Sequence, residues 1–115
     1  MNELDDLKQR IRAFAVARDW GKFHSPKNLS MALSAEAGEL LEHFQWLTEG
    51  QSESLTADKR AEVEKELADV FIYLVRIADK LGIDLIKAAN HKIELNEKKY
   101  PAEKVKGSAK KYTEY

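Results

Sequence analysis

Two pairs of carboxylates stand at helical spacing in this sequence, Glu36 with Glu39 and Glu66 with Asp69. Residues three apart share a helix face, so each pair presents two acids to one side. If the two helices pack antiparallel, the four acids face one another. Four hard oxygen ligands suit Mg²⁺ or Mn²⁺, which prefer carboxylate and water. The competing reading is four solvated surface acids, and their neighbours weigh against it. A surface Glu commonly has Lys or Arg three or four residues away. Glu36, Glu39 and Glu66 have none there, only another acid three residues off, and Asp69 alone has Lys65. Two like charges at about 4 Å repel by roughly 1 kcal/mol in water and about 4 kcal/mol at an effective dielectric near 20. Such a cluster persists only if exposed, protonated or neutralised by a cation. Gly38 adds support, because a glycine inside a helix costs about 1 kcal/mol relative to alanine. It lies among Ala32, Ser34, Ala35 and Ala37, small residues that would let a helix or ligand approach closely.

Other groups could hold the rest of a substrate. Trp20, Phe23, His24 and Trp46 fall near helix ends or loops, and Tyr73 lies one turn beyond Asp69 on the same face. Indole rings beside a polar site can stack on nucleobases, although a Trp at a helix end more often plugs a core. Lys92 and Asn96, four apart, could reach phosphate oxygens or simply face solvent. Charge is segregated: no Lys or Arg occurs between Asn28 and Asp58, whereas the last quarter is rich in lysine. An acidic and a basic region on one small domain suit a metal-bridged anionic substrate. The net charge of −1 favours neither nucleic acid polymers nor acidic membranes. With no cysteine, disulfides, zinc–thiolate sites and thiol nucleophiles are excluded. A di-iron bundle needs Glu-x-x-His pairs, and none is present. There is no Gly-rich phosphate loop and no His-Glu-x-x-His.

The elements that must position these groups are helices. Leu4, Leu7, Ile11, Phe14 and Ala15 recur at helical spacing and predict a first helix ending near Asp19. Trp20 to His24 reads as a loop. Ser25 as N-cap and Pro26 at the first helical position start a second helix running to about Leu47. Thr48 to Ser54 reads as a mobile loop. Thr56 caps a third helix with an apolar stripe of Val63, Leu67, Val70, Phe71, Leu74, Ala78 and Leu81, ended by Gly82. Asp84 caps a fourth helix, which Pro101 stops near Tyr100. The fold class is therefore all-α, an antiparallel four-helix bundle. Residues 1–101 form its helical domain, and 102–115 form a lysine-rich tail, extended or partly disordered. No stretch is long and apolar enough to span a bilayer, and the acidic start is no signal peptide, so a cytoplasmic location is the default.

Glu36-Ala37-Gly38-Glu39-Leu40-Leu41-Glu42, then Phe44-Gln45-Trp46, then Glu66-Leu67-Ala68-Asp69-Val70-Phe71-Ile72-Tyr73-Leu74 resemble the MazG-like nucleotide pyrophosphohydrolases, and within them the dCTP pyrophosphatase branch. The likeness extends to Arg18-Asp19-Trp20, Phe23 to Asn28, Lys99-Tyr100-Pro101 and Lys111 to Glu114. It implies Mg²⁺-dependent hydrolysis of a (deoxy)nucleoside triphosphate between the α and β phosphates, with dCTP or a modified dCTP as the candidate substrate. Glu36, Glu39, Glu66 and Asp69 would be the metal ligands. Trp20, His24 and Trp46 would surround the base, and Lys92 and Asn96 would contact phosphates. Glu39 or Glu42 would orient or deprotonate the attacking water. The resemblance also implies a homodimer or homotetramer with sites at subunit interfaces. Ile11 departs from the pattern, standing where vertebrate members of the branch carry a histidine near the base. The rival of another class is a non-catalytic helical oligomerisation or nucleotide-sensing module.

Overall fold

The computed structural model describes residues 2–109, and among them all regular structure is helical. Helix α1 spans Glu3–Ala17, α2 Pro26–Glu42, α3 Glu49–Glu53, α4 Ala57–Leu81, α5 Leu85–Lys99 and α6 Ala102–Val105. The starts follow from their caps. The side chains of Asn2, Ser25, Thr48, Thr56 and Asp84 each accept a backbone N–H three residues on, and Pro26 enters α2 where its missing N–H costs nothing.

The ends are equally local. Asp19 adopts a left-handed conformation at φ 54°. This lets Trp20 N–H bond to Ala15 C=O at 2.9 Å and Asp19 N–H bond to Val16 C=O at 3.1 Å. That pair of bonds is a Schellman closure, and it turns the chain back so that Trp20 begins the next segment. A single 3₁₀ turn, Gly21–Phe23, follows. Gly82, at φ 68°, closes α4 as the sequence predicts.

Three segments differ from expectation. Helix α2 stops at Glu42 rather than Leu47, because its last bonds shorten to three-residue steps such as Phe44 N–H to Leu41 C=O. The expected mobile loop contains α3, held by reciprocal bonds of Thr48 and Gln51. In the expected tail, the Pro101 carbonyl accepts from Lys104 and Val105 and opens α6. The tail residues from Lys110 onward, with the Lys111 to Glu114 string, lie outside the described residues.

The chain divides into two compact units, one ending at Gly82 and the other starting at Ile83. In the first unit α2 and α4 form the principal helix pair, and α1 packs on α4. Helix α2 runs antiparallel to α4: His43 lies 3.9 Å from Glu62, and Glu36 meets Glu66 further up α4. The buried apolar side chains are Ala15, Leu29, Val63, Val75 and Ala78. Among the described residues two charged ones, Glu66 and Arg76, are buried as well. The second unit consists of α5 and α6.

The predicted stripe of α4 is therefore only partly the buried one. Val63 and Ala78 are inside, but Leu67, Phe71, Leu74 and Leu81 are exposed in the single chain. Helix α4 has apolar residues on more than one face, and the positions that packing buries, Val63, Glu66, Val75, Arg76 and Ala78, do not follow the predicted stripe. No helix among the described residues is long and apolar enough to cross a membrane.

Candidate functional site

Helices α2 and α4 bring Glu36, Glu39 and Glu66 together, one carboxylate oxygen from each lying within 4.8 Å of the others. Glu66 is buried, Glu36 half-buried and Glu39 exposed. Glu36 Oε2 and Glu66 Oε2 are both shielded from solvent, with no hydrogen-bond partner among the described residues. A buried, unpartnered carboxylate oxygen is costly, and close like charges add to the cost. The Glu36 carboxyl responds by moving up to about 8. A proton on Glu36 would bond to Glu66, burial disfavours its charge, and Glu39 adds a second acceptor and a further negative charge.

The donor set fits a divalent cation. Three carboxylates each bring a hard oxygen within 4.8 Å of the others, Glu36 and Glu66 each carry a buried oxygen without a partner among the described residues, and a cation would relieve both repulsion and desolvation. Asp69, one turn beyond Glu66, is exposed and is not in this three-residue group. Glu42, one turn beyond Glu39 at the end of α2, is exposed and likewise outside it. Gly38 does not serve close packing within the chain, since a Cβ there would meet nothing within 4 Å.

Asp69 instead lines a hollow of about 220 Å³ with Trp20, His24, Tyr73, Arg76 and Ile11. Three of these come from α4 at positions 69, 73 and 76, one helical face. Trp20 and His24 flank the 3₁₀ turn, which is tied to α2 by Asn28 Nδ2 donating to Phe23 C=O at 3.0 Å. Trp20 stands edge-on to both Phe14 and His24, with ring centroids 5.6 and 6.5 Å apart. The His24 imidazole is held below its usual pKa by burial first, then by Arg76 and Lys80.

The structure thus joins Trp20 and His24, which the sequence grouped around a base, to the α4 face of Asp69 and Tyr73. It leaves Trp46 outside the hollow, 86% exposed in the turns after α2. Lys92 and Asn96 are exposed one turn apart on α5, in the second unit. Arg76 was missed. The available signal was a lone arginine among Leu74, Val75 and Ile77, on the face already carrying Asp69 and Tyr73.

Comparison with known proteins gives a consistent result. The model of the MazG-like family matches residues 31–115. Human dCTP pyrophosphatase 1 is 42% identical over 113 residues, covering 96% of this chain and 66% of that protein. The bovine protein of the same name is 40% identical, covering 96% and 67%. The chain thus spans about two thirds of the length of these curated relatives. A crystal structure of a pyrophosphatase from Archaeoglobus fulgidus superimposes with a TM-score of 0.83 at 40% identity, over 88% of this chain and 94% of that one. With its carboxylate pairs on two packed helices and a family match over most of its length, this chain belongs to the MazG-like family.

Proposed function

We propose that this protein is a Mg²⁺-dependent nucleoside triphosphate pyrophosphohydrolase that cleaves between the α and β phosphates, acting on dCTP or a modified dCTP. The observation that carries the reading is the Glu36, Glu39 and Glu66 cluster with its two unpartnered buried oxygens. The names of the relatives supply the substrate class.

Glu36, Glu39 and Glu66 would hold the metal, with Asp69 as the fourth acid from the neighbouring turn. When bound, Mg²⁺ (or Mn²⁺) supplies Lewis-acid stabilisation of the charge that builds on the phosphate oxygens. The chain's own residues do the rest. Glu39 or Glu42, the two exposed acids of this helix end, orients a water and takes its proton as the oxygen attacks the α phosphorus. The bond from that phosphorus to the bridging oxygen breaks, giving a monophosphate and pyrophosphate. Trp20, His24 and Tyr73 receive the base in the hollow, and Trp46, which the family resemblance also places around the base, would come from a neighbouring subunit. Lys92 and Asn96 contact the phosphates, a role that rests on the family resemblance. The exposed apolar face of α4 supports a homodimer or homotetramer.

The test is incubation with a panel of ordinary and modified nucleoside triphosphates plus Mg²⁺, resolving the products. Monophosphate and pyrophosphate are expected, most from cytosine nucleotides, and chelator should stop the reaction. Diphosphate and orthophosphate would refute the bond assignment. Thermal stabilisation by nucleotide without any product would favour a sensing module.

A further inference from the structure

Behind the hollow, a chain of charged groups leads from α1 to His24. Arg12 on α1 makes a two-pronged bond to Asp79 on α4, with Nε to Oδ2 at 2.7 Å and Nη2 to Oδ1 at 2.6 Å. Asp79 Oδ2 also lies 3.6 Å from Nη1 of Arg76, one turn earlier on α4. Both members of this second pair are nearly buried, their side chains 7–8% exposed. Arg76 Nε in turn donates to His24 Nδ1 at 3.2 Å. Asp79 thus accepts hydrogen bonds from the exposed Arg12 and pairs electrostatically with the nearly buried Arg76.

This arrangement dictates where the imidazole proton sits. A guanidinium only donates and does not lose its proton in proteins. Nδ1 must therefore accept, and in the neutral ring the one proton must be on Nε2. Protonating Nδ1 would set two donors face to face beside a cation. Burial, Arg76 and Lys80 already disfavour the charged ring. Among the described residues Nε2 has no hydrogen-bond partner, and His24 lines the hollow.

We infer that Arg76 and Asp79 are positioning residues that lock His24 as the neutral Nε2–H tautomer, so that it meets a bound base as a hydrogen-bond donor to a carbonyl oxygen or ring nitrogen. This rests on the nucleotide reading proposed above. His24 lines the hollow with Trp20 and Tyr73, which puts its Nε2–H at the base end of the substrate.

Long-range ¹H–¹⁵N NMR of histidine-labelled protein reads the tautomer directly, with His24 assigned by the signal lost in His24→Gln. The wild type at neutral pH should show a bare Nδ1 and a protonated Nε2. Arg76→Met, which keeps volume but removes the donor, should give mixed tautomers. It should raise KM for the nucleotide about tenfold, the loss of one ligand hydrogen bond, with kcat little changed. Asp79→Asn, a milder change should Arg76→Met fail to fold, should shift the tautomers the same way. Mixed tautomers in the wild type, an unaltered ring in both variants, or a lost lock with unchanged KM would each overturn the inference. If the wild type turns over no nucleotide, the function proposed above fails, whereas the NMR spectrum still decides whether the lock exists.

Discussion

A carboxylate crowded by others keeps its place by holding a proton or by sharing a cation. Glu36 does the first when alone, its pKa standing near 8, and the convergence of Glu36, Glu39 and Glu66 provides for the second. Proton and metal then compete for the same oxygens. Replacing Glu39 by Gln keeps the shape and removes one ligand charge. Turnover by Glu39→Gln should fall on the order of 100-fold or more. Its helical circular dichroism should be unchanged, and full activity would sink the site assignment. Glu42→Gln separates the two candidate bases, because a base outside the cluster can be lost without weakening Mg²⁺ binding measured by calorimetry. The pairing of acids along each helix was legible in the sequence because three-residue spacing settles which side chains are neighbours, whereas the convergence of Glu66 on Glu36 and Glu39 depends on how α2 and α4 meet. Arg76 was not legible, because its importance comes from His24, which is brought beside it by the fold alone.

The helices announce themselves through their caps, which act over three or four residues. Ser25, Thr56, Asp84 and Gly82 stand where the sequence places them. The Thr48–Gln51 capping box was also readable, yet a polar composition hid it. What ties one element to another is less local, and the Arg12–Asp79 pair shows its physical consequence. That pair joins α1 to α4 and holds the Asp79 carboxyl below its ordinary value, chiefly through the Arg12 hydrogen bond. A depressed acid contributes stability above its unfolded pKa and loses it as the pH falls through the folded one. Arg12→Ala should therefore melt below the wild type at neutral pH. The gap should close as the pH drops below 3.8, the ordinary value for the carboxyl, when Asp79 becomes protonated in both proteins. Melting curves from pH 7 to pH 2 check this, and a gap independent of pH would assign the loss to packing of the arginine stem instead.

At the scale of the molecule, the single chain leaves Leu67, Phe71 and Leu74 exposed on one face of α4, at 51%, 43% and 38%. These residues recur at helical spacing as a core stripe would, but α2 and α1 meet a different face. Such a patch is the expected footprint of a second copy. Sedimentation should give a multiple of the 13.2 kDa chain mass. Phe71→Asp should shift it to the monomer, lowering activity if the partner completes the site. A wild type that sediments as a monomer at micromolar concentration would remove this reading. By itself the sequence determined the all-helical class, the caps and the pairing of acids along α2 and α4, because each depends on residues within a turn or two. Only the tertiary structure decided which face of α4 is buried, that Asp69 joins Trp20, His24 and Tyr73 around the hollow, and that Glu36, Glu39 and Glu66 form the tight group. Those outcomes depend on which helix faces meet, and helical periodicity alone leaves more than one face of α4 apolar enough to serve.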